Sequence, residues 1–235
     1  MKDYFNTTVI IPTLNEAQNI GSLAETIFKL YPKIKIIVSD DGSSDKTQEI
    51  VSDMSKEGKA IKLLDRAQMK VHGLTASVLD AIKIVDTSFF VVIDADLQHP
   101  PEKIDEMVSF LRDESADVVV GFREKVVGDW PVHRKMLSKF GLFLGSAYLK
   151  IRGKKSCRDV LSGFFAAKAS FVKEEIEKYY NRFELRGYKV LFDLLKFVSK
   201  EIKIMEVPYS FNERERGESK IGIKHLFYYF RSFFN

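Results

Sequence analysis

A β-branched, apolar run, Phe89-Phe90-Val91-Val92-Ile93, stops at two carboxylates spaced i, i+2, Asp94 and Asp96, before the Pro100-Pro101 step. The run predicts a buried strand over Phe89–Ile93, and Pro-Pro predicts a helix opening directly after it. A buried strand does not carry Asp freely, because an unpaired carboxylate away from water is costly. Placed at a strand's C-terminal end, the pair predicts a divalent cation, a hard ion that takes oxygen ligands. In open α/β sheets that edge is also where ligands bind.

The preceding sequence repeats this alternation. Strands are predicted at Thr7–Pro12, Ile34–Ser39, Ile61–Leu64 and Asp117–Gly121. Helices fall between them: one capped by Asn15, one after Asp45, then Leu74–Val85 and Glu102–Leu111. Such β-α alternation predicts an α/β fold with a mostly parallel sheet and helices on both faces. A parallel sheet brings Pro12-Thr13-Leu14-Asn15-Glu16, Asp40-Asp41-Gly42-Ser43 and Asp94-Ala95-Asp96 to one edge. Taken singly, Asp40-Asp41-Gly42 is as well explained by a turn, and Ser44 or Asp45 by a helix cap. Three such groups at carboxyl ends point to a site.

The second half is less regular. Helices are predicted at His133–Lys150, Tyr188–Val198 and Ile221–Phe234, and strands at Leu161–Ala167 and Ile202–Val207. No linker separates the halves. The reading is one domain over residues 1–211 with an extension, 212–235, made of a polar loop and an aromatic helix. The formal net charge of +4 and the lack of an aromatic-plus-basic motif argue against a nucleic-acid partner. The lone Cys157 excludes an intrachain disulfide and fits a reducing compartment. Residues 1–6 hold no signal-peptide apolar stretch, and no uncharged run is long enough to span a bilayer.

Three segments together resemble family 2 glycosyltransferases of GT-A, Rossmann-like fold: Val9–Glu16, Val38–Thr47 and Asp94–Glu102. Further matches are Val120-Gly121-Phe122-Arg123, Trp130–Ser138, Ser162-Gly163-Phe164 and Arg214–Lys220. These resemble the dolichol-phosphate mannose synthases and related polyprenyl-phosphate glycosyltransferases, over nearly the whole chain. The resemblance implies transfer of mannose from GDP-mannose to dolichyl or another polyprenyl phosphate. UDP-glucose or another nucleotide sugar is the alternative donor, and a non-catalytic scaffold of a membrane glycosylation complex is a third reading.

The resemblance also implies roles. Pro12, Leu14 and Glu16 would line the nucleoside pocket, with Val38 and Asp40 on the base and ribose side. Asp94 and Ala95 would contact the nucleotide sugar, while Asp96 and Gln98 would hold Mg²⁺ or Mn²⁺. Arg214 and Lys220 would close over the diphosphate. Arg123, Arg134 and Ser138 would grip the acceptor phosphate, the last two sharing a helix face at i, i+4. Thr75 stands where relatives often carry glycine, and Leu14 where an aromatic is common. His99 is expected to shape the turn before Pro100 rather than to ligate metal.

The aromatic helix Ile221–Phe234 is too short to span a bilayer. It and a stripe of Met136, Phe140, Phe143, Ala147 and Tyr148 are core faces or membrane-interface faces. With a lipid acceptor, the interface reading implies membrane association on the cytoplasmic face. The partner is then a membrane surface, with a separate membrane subunit or a transmembrane segment beyond Asn235.

Overall fold

The computed structural model describes residues 4–126, 132–211 and 223–235, with backbone only at 126, 132–135 and 223. In chain order the first half runs β1 (Thr7–Thr13), α1 (Ile20–Leu30), β2 (Lys35–Asp40), α2 (Thr47–Lys56), β3 (Ile61–Asp65), α3 (Leu74–Lys83), β4 (Phe89–Val92) and α4 (Ile104–Arg112). The second half runs β5 (Val118–Val126), α5 (Val132–Ile151), β6 (Phe165–Lys168), α6 (Ala169–Tyr179), α7 (Val190–Phe197), β7 (Ile204–Phe211) and α8 (Ile223–Ser232).

The seven strands form one sheet in the order β3-β2-β1-β4-β6-β5-β7. β1 pairs in parallel with both β2 and β4, and β2 with β3. β6 runs antiparallel between β4 and β5, and the β5–β7 pair is parallel again. The sheet is therefore mostly parallel, as predicted, with one reversed strand. The chain winds outward from β1 in both directions, so the crevice between the ends of β1 and β4 is the switch point where doubly wound sheets bind ligands.

Side-chain alternation along β1 builds a core on each face. Ile10 joins Val78, Leu79 and Ile82 of α3, Val172 of α6 and Leu191 and Phe192 of α7. Val9 and Ile11 join Leu23 and Ile27 of α1, Val51 of α2, and Met107 and Val108 of α4. Helices thus cover both faces.

Local differences from the predictions have identifiable causes. Asn15 is not the cap of α1, which starts at Ile20 after Asn19. Asn15 adopts a left-handed backbone, φ 53°, and its side-chain oxygen accepts the Ser44 N–H at 2.8 Å, so it ties two loops together. The predicted strand Leu161–Ala167 begins only at Phe165, because Ser162 turns back: its hydroxyl donates to the Gly121 carbonyl at 2.7 Å and accepts the Phe164 N–H at 3.1 Å. The Pro-Pro step opens a short 3₁₀ turn, Pro101–Lys103, that leads into α4.

α8 docks on the main core through one face. Tyr229 is buried beside Phe192, with ring centroids 5.5 Å apart, and its hydroxyl donates to the Gly141 carbonyl at 2.7 Å. Buried Lys196 pairs with Asp193 at 2.8 Å and donates to the Ser232 carbonyl, while the Ser232 hydroxyl donates to Asp193. Ionic and hydroxyl groups from α7 and α8 therefore satisfy one another inside the helix contact.

Candidate active site

A cavity of about 270 Å³ opens at the switch point. Pro12, Leu14 and Glu16 line it from the loop after β1, Asp41 from the loop after β2, and Asp94, Ala95 and Asp96 from the turn after β4. The three sequence segments predicted to converge meet there.

The loops after β1 and β2 are cross-tied. The Glu16 N–H donates to Thr47 Oγ1 at 2.8 Å, and the Asn15 N–H to Ser43 Oγ at 2.7 Å. The Ala17 N–H donates to Asp45 at 3.1 Å. Asn19 donates to the Glu16 carboxylate at 2.9 Å.

Val38 and Asp40, expected on the base and ribose side, are not among the residues that line the cavity. Val38 is wholly buried in the core face of β2. Asp40 is also fully buried and accepts hydrogen bonds from Thr13 (2.8 Å), the Ser43 N–H (2.8 Å) and Gln48 (2.7 Å). Burial alone would raise its carboxyl pKa, but these donors hold it below the usual range. The neighbouring Asp41 takes the place at the cavity wall, since successive residues of extended chain point to opposite sides.

Asp41 anchors a network that sequence reading missed. Arg66, with 1% of its side chain exposed, pairs with Asp41 and with Asp80 at 3.1 Å, and donates to the Val71 carbonyl at 2.9 Å. Asp41 also accepts the Gly73 N–H at 2.7 Å, with His72 Nδ1 3.1 Å away. Gly73 has φ 148°, and a Cβ there would sit 2.6 Å from the Leu185 carbonyl oxygen. Only glycine lets this wall pack against residues 185–187, which accept the N–H groups of Thr75 and Ala76.

Asp94 and Asp96 both face the cavity, although β4 ends at Val92 and they do not sit on an extended strand. A turn brings them together. Leu97 is left-handed, φ 62°, and the Gln98 N–H donates to Asp96 Oδ1 at 3.2 Å. A bulky side chain in that region costs about 1–3 kcal/mol, a strain characteristic of functional turns. His99 supports the turn from behind. It is buried, stacks on Phe164 at 5.3 Å, and its Nδ1 accepts the Asp94 N–H at 3.3 Å. Burial, partly opposed by Asp96, pushes its pKa down to about 4, so the ring is neutral and fixed as a hydrogen-bond acceptor. Gly163 lies against Asp94, where a Cβ would come within 2.9 Å of Oδ2.

Behind Asp94 lies a charged cluster. Arg123 Nε donates to Asp159 at 2.9 Å, and its guanidinium lies 5.5 Å from the Phe211 ring centroid. Lys189 lines the cavity and donates to the Leu161 carbonyl at 3.0 Å. Burial and Arg123 lower its pKa to about 8. Tyr188, Arg186 and His225 complete the lining, so α8 reaches the site. Lys189 and His225 carry no motif that names a role, Gly163 falls in the Ser162-Gly163-Phe164 match, and only the folded chain brings the three here. Ser138 is half-buried on α5. The side chain of Arg134, and all of Arg214 and Lys220, lie outside the described residues.

The chain matches the glycosyl transferase family 2 over residues 8–191. It belongs to that family. A dolichol-phosphate mannosyltransferase from Pyrococcus furiosus is 38% identical over 232 residues, covering 95% of this chain and 61% of that protein. One from Mycosarcoma maydis is 29% identical, covering 94% and 76%. This family 2 chain therefore spans about three fifths of the length of the Pyrococcus relative. Among solved structures, glucosyl-3-phosphoglycerate synthase from Mycobacterium tuberculosis, in complex with Mn²⁺, uridine diphosphate and glucosyl-3-phosphoglycerate, superposes with a TM-score of 0.64 at 21% identity. That match covers 96% of this chain and 76% of the other, and shows a shared GT-A fold.

Proposed function

We propose that the chain transfers mannose from GDP-mannose to dolichyl or another polyprenyl phosphate, with inversion, at the cytoplasmic face of a membrane. The observation that carries this reading is the 38% identity to a dolichol-phosphate mannosyltransferase across 95% of the chain.

In this reading Pro12, Leu14 and Glu16 hold the nucleoside, with Val38 and Asp40 on the base and ribose side and Asp41 at the cavity wall, and Asp94 and Ala95 orient the sugar. Asp96 and the Gln98 side chain hold Mg²⁺ or Mn²⁺. Among the described residues no group of three His, Cys, Asp or Glu could hold a metal alone. One carboxylate and one amide oxygen, completed by ligand phosphates, still suit these hard ions, so the donor set fits. The metal, when bound, supplies positive charge to the departing diphosphate.

The remaining work belongs to the chain. The acceptor is a phosphate monoester with a second pKa of about 6, so it is largely ionised at neutral pH and needs no general base. Its oxygen attacks the anomeric carbon as the sugar–diphosphate bond breaks. Asp159 fixes Arg123 through Nε. Together with Arg134 and Ser138, Arg123 would position the acceptor phosphate, while Arg214 and Lys220 would meet the diphosphate. The exposed aromatic residues of α5 and α8 would meet the lipid surface, with a membrane subunit or a further transmembrane segment as anchor; no described helix is long and apolar enough to cross a membrane.

The test is a panel of GDP- and UDP-sugars with Mg²⁺ or Mn²⁺ and a polyprenyl phosphate, scored for lipid-linked product. Product from GDP-mannose above all others is expected. Preference for a UDP-sugar would replace the donor, and no product with any donor would favour a scaffold.

A further inference from the structure

A second cavity, of about 160 Å³, lies away from the sheet edge, where the ends of α5, α6, α7 and α8 meet. Four cationic residues line it, Arg152, Lys154, Arg182 and Lys196, with Tyr148, Tyr179, Phe197 and the backbone end at Asn235, and no Asp or Glu among the lining residues. Two of the cations are engaged within the fold. Lys196 is neutralised by Asp193. Lys154 donates to the Val198 carbonyl at 2.8 Å, which holds its charge at the C-terminal end of α7.

The two arginines differ. Arg152 is held over the Tyr148 ring at 5.8 Å and Arg182 over the Phe197 ring at 5.3 Å. Arg182 also makes a long contact, 3.5 Å, to the Asn235 carbonyl. Neither pairs with an Asp or Glu side chain among the described residues. Glu175 is close enough for Lys154 to act on it, but burial raises its carboxyl pKa, and it does not line the cavity. Two arginines without an Asp or Glu partner, their planar forks held by aromatic rings, beside Lys154, make a site for a tetrahedral oxyanion.

Its place in the fold points to the source of that anion. Arg152 follows Ile151, which is 85% exposed, and Phe234, 88% exposed, precedes Asn235. The outer faces of α5 and α8 add Phe140, Phe143, Phe227 and Phe230, all exposed. Apolar side chains beside a basic pocket match the layering of a membrane interface, where acyl chains lie beneath anionic headgroups.

We propose that this cavity is a second ligand site, taking the phosphate of an anionic phospholipid headgroup beside the apolar edge of α5 and α8. The inference does not depend on the donor or on transfer, because it concerns binding at a separate place. It is tested with the full chain and phosphatidylcholine vesicles, with and without phosphatidylglycerol, comparing Arg152→Ala/Arg182→Ala with the charge-matched control Lys29→Ala/Lys62→Ala. Both control lysines are exposed on other elements. At about 1 kcal/mol per basic residue at an anionic surface, the arginine pair should weaken binding to phosphatidylglycerol vesicles about 30-fold. The control should change it little, and binding to pure phosphatidylcholine should not respond. A parallel titration with inorganic phosphate separates the sources. If only phosphate binding is lost in the arginine variant, the site takes a free anion and the lipid assignment fails. Equal losses in both variants, or none in either assay, would overturn the site itself.

Discussion

The carboxyl edge of the sheet and the outer faces of α5 and α8 are both open to solvent, yet they are built on opposite principles. At the edge the supporting polar groups are committed: Asp40 to Thr13, Ser43 and Gln48; Asp41 to Arg66 and Gly73; the Asp94 N–H to His99. Along the helices, Met136, Phe140, Phe143, Phe227 and Phe230 are left exposed, and α8 is tied down through Tyr229 and the Lys196–Asp193–Ser232 group. The edge is preorganised for chemistry. The helical face leaves apolar side chains exposed.

Substitutions can break that contrast, and the largest effect belongs at the edge. Asp96→Ala is expected to lower kcat/KM for lipid-linked product about 10³-fold, because one carboxylate carries the proposed metal site. Chelation of wild-type protein should match it, and unchanged transfer in either case would remove the metal from the mechanism. Arg66→Ala leaves two acids without their buried partner and should cost about 3 kcal/mol in urea unfolding. A loss below about 1 kcal/mol would mean that the Asp41 wall is not held by charge.

His99 supplies a pH test. Its folded pKa of about 4 lies below the unfolded value of 6.5, so the unfolded chain takes up the proton first. Its stabilising contribution is complete above about pH 6.5 and is lost as the pH falls through 4, about 3 kcal/mol in all. Unfolding followed in EDTA should show this slope in wild type and a flatter one in His99→Phe. Parallel slopes would show that the ring is not buried neutral.

Gly163→Ala sharpens the contrast further. The new Cβ would displace the Asp94 carboxylate, and a misplacement of about 1 Å costs on the order of 10²-fold in kcat/KM. Stability should change far less than activity, and equal loss of both would make Gly163 merely structural. On the other surface, Phe143→Ser/Phe227→Ser should alter unfolding free energy by no more than about 0.5 kcal/mol per site while reducing vesicle sedimentation. A large stability loss with vesicle binding intact would turn those faces into core.

Much of the sheet-edge cavity was legible in the chain. Continuous β-branched apolar runs and helical periodicity located the strands and helices up to β5 within a few residues, and the parallel order followed from the alternation. Local signals failed where the chain leaves a regular period. Asn15 looked like a cap because its residue type suits one, but the loop uses its amide across space. Asp40 and Asp41 are indistinguishable by type, and the twist at the end of β2 chose Asp41 for the cavity.

By itself, then, the sequence determined the α/β architecture and the convergence of three carboxyl ends, because periodicity and strand direction are local properties repeated along the chain. The family followed from motifs at those same ends. Tertiary structure decided which acid faces the cavity, that Arg66, Lys189 and His225 attend it, and that one face of each aromatic helix is core while the other stays open. Those outcomes depend on contacts between residues dozens of positions apart, and no local pattern in the chain encodes which of two equivalent side chains will find its partner.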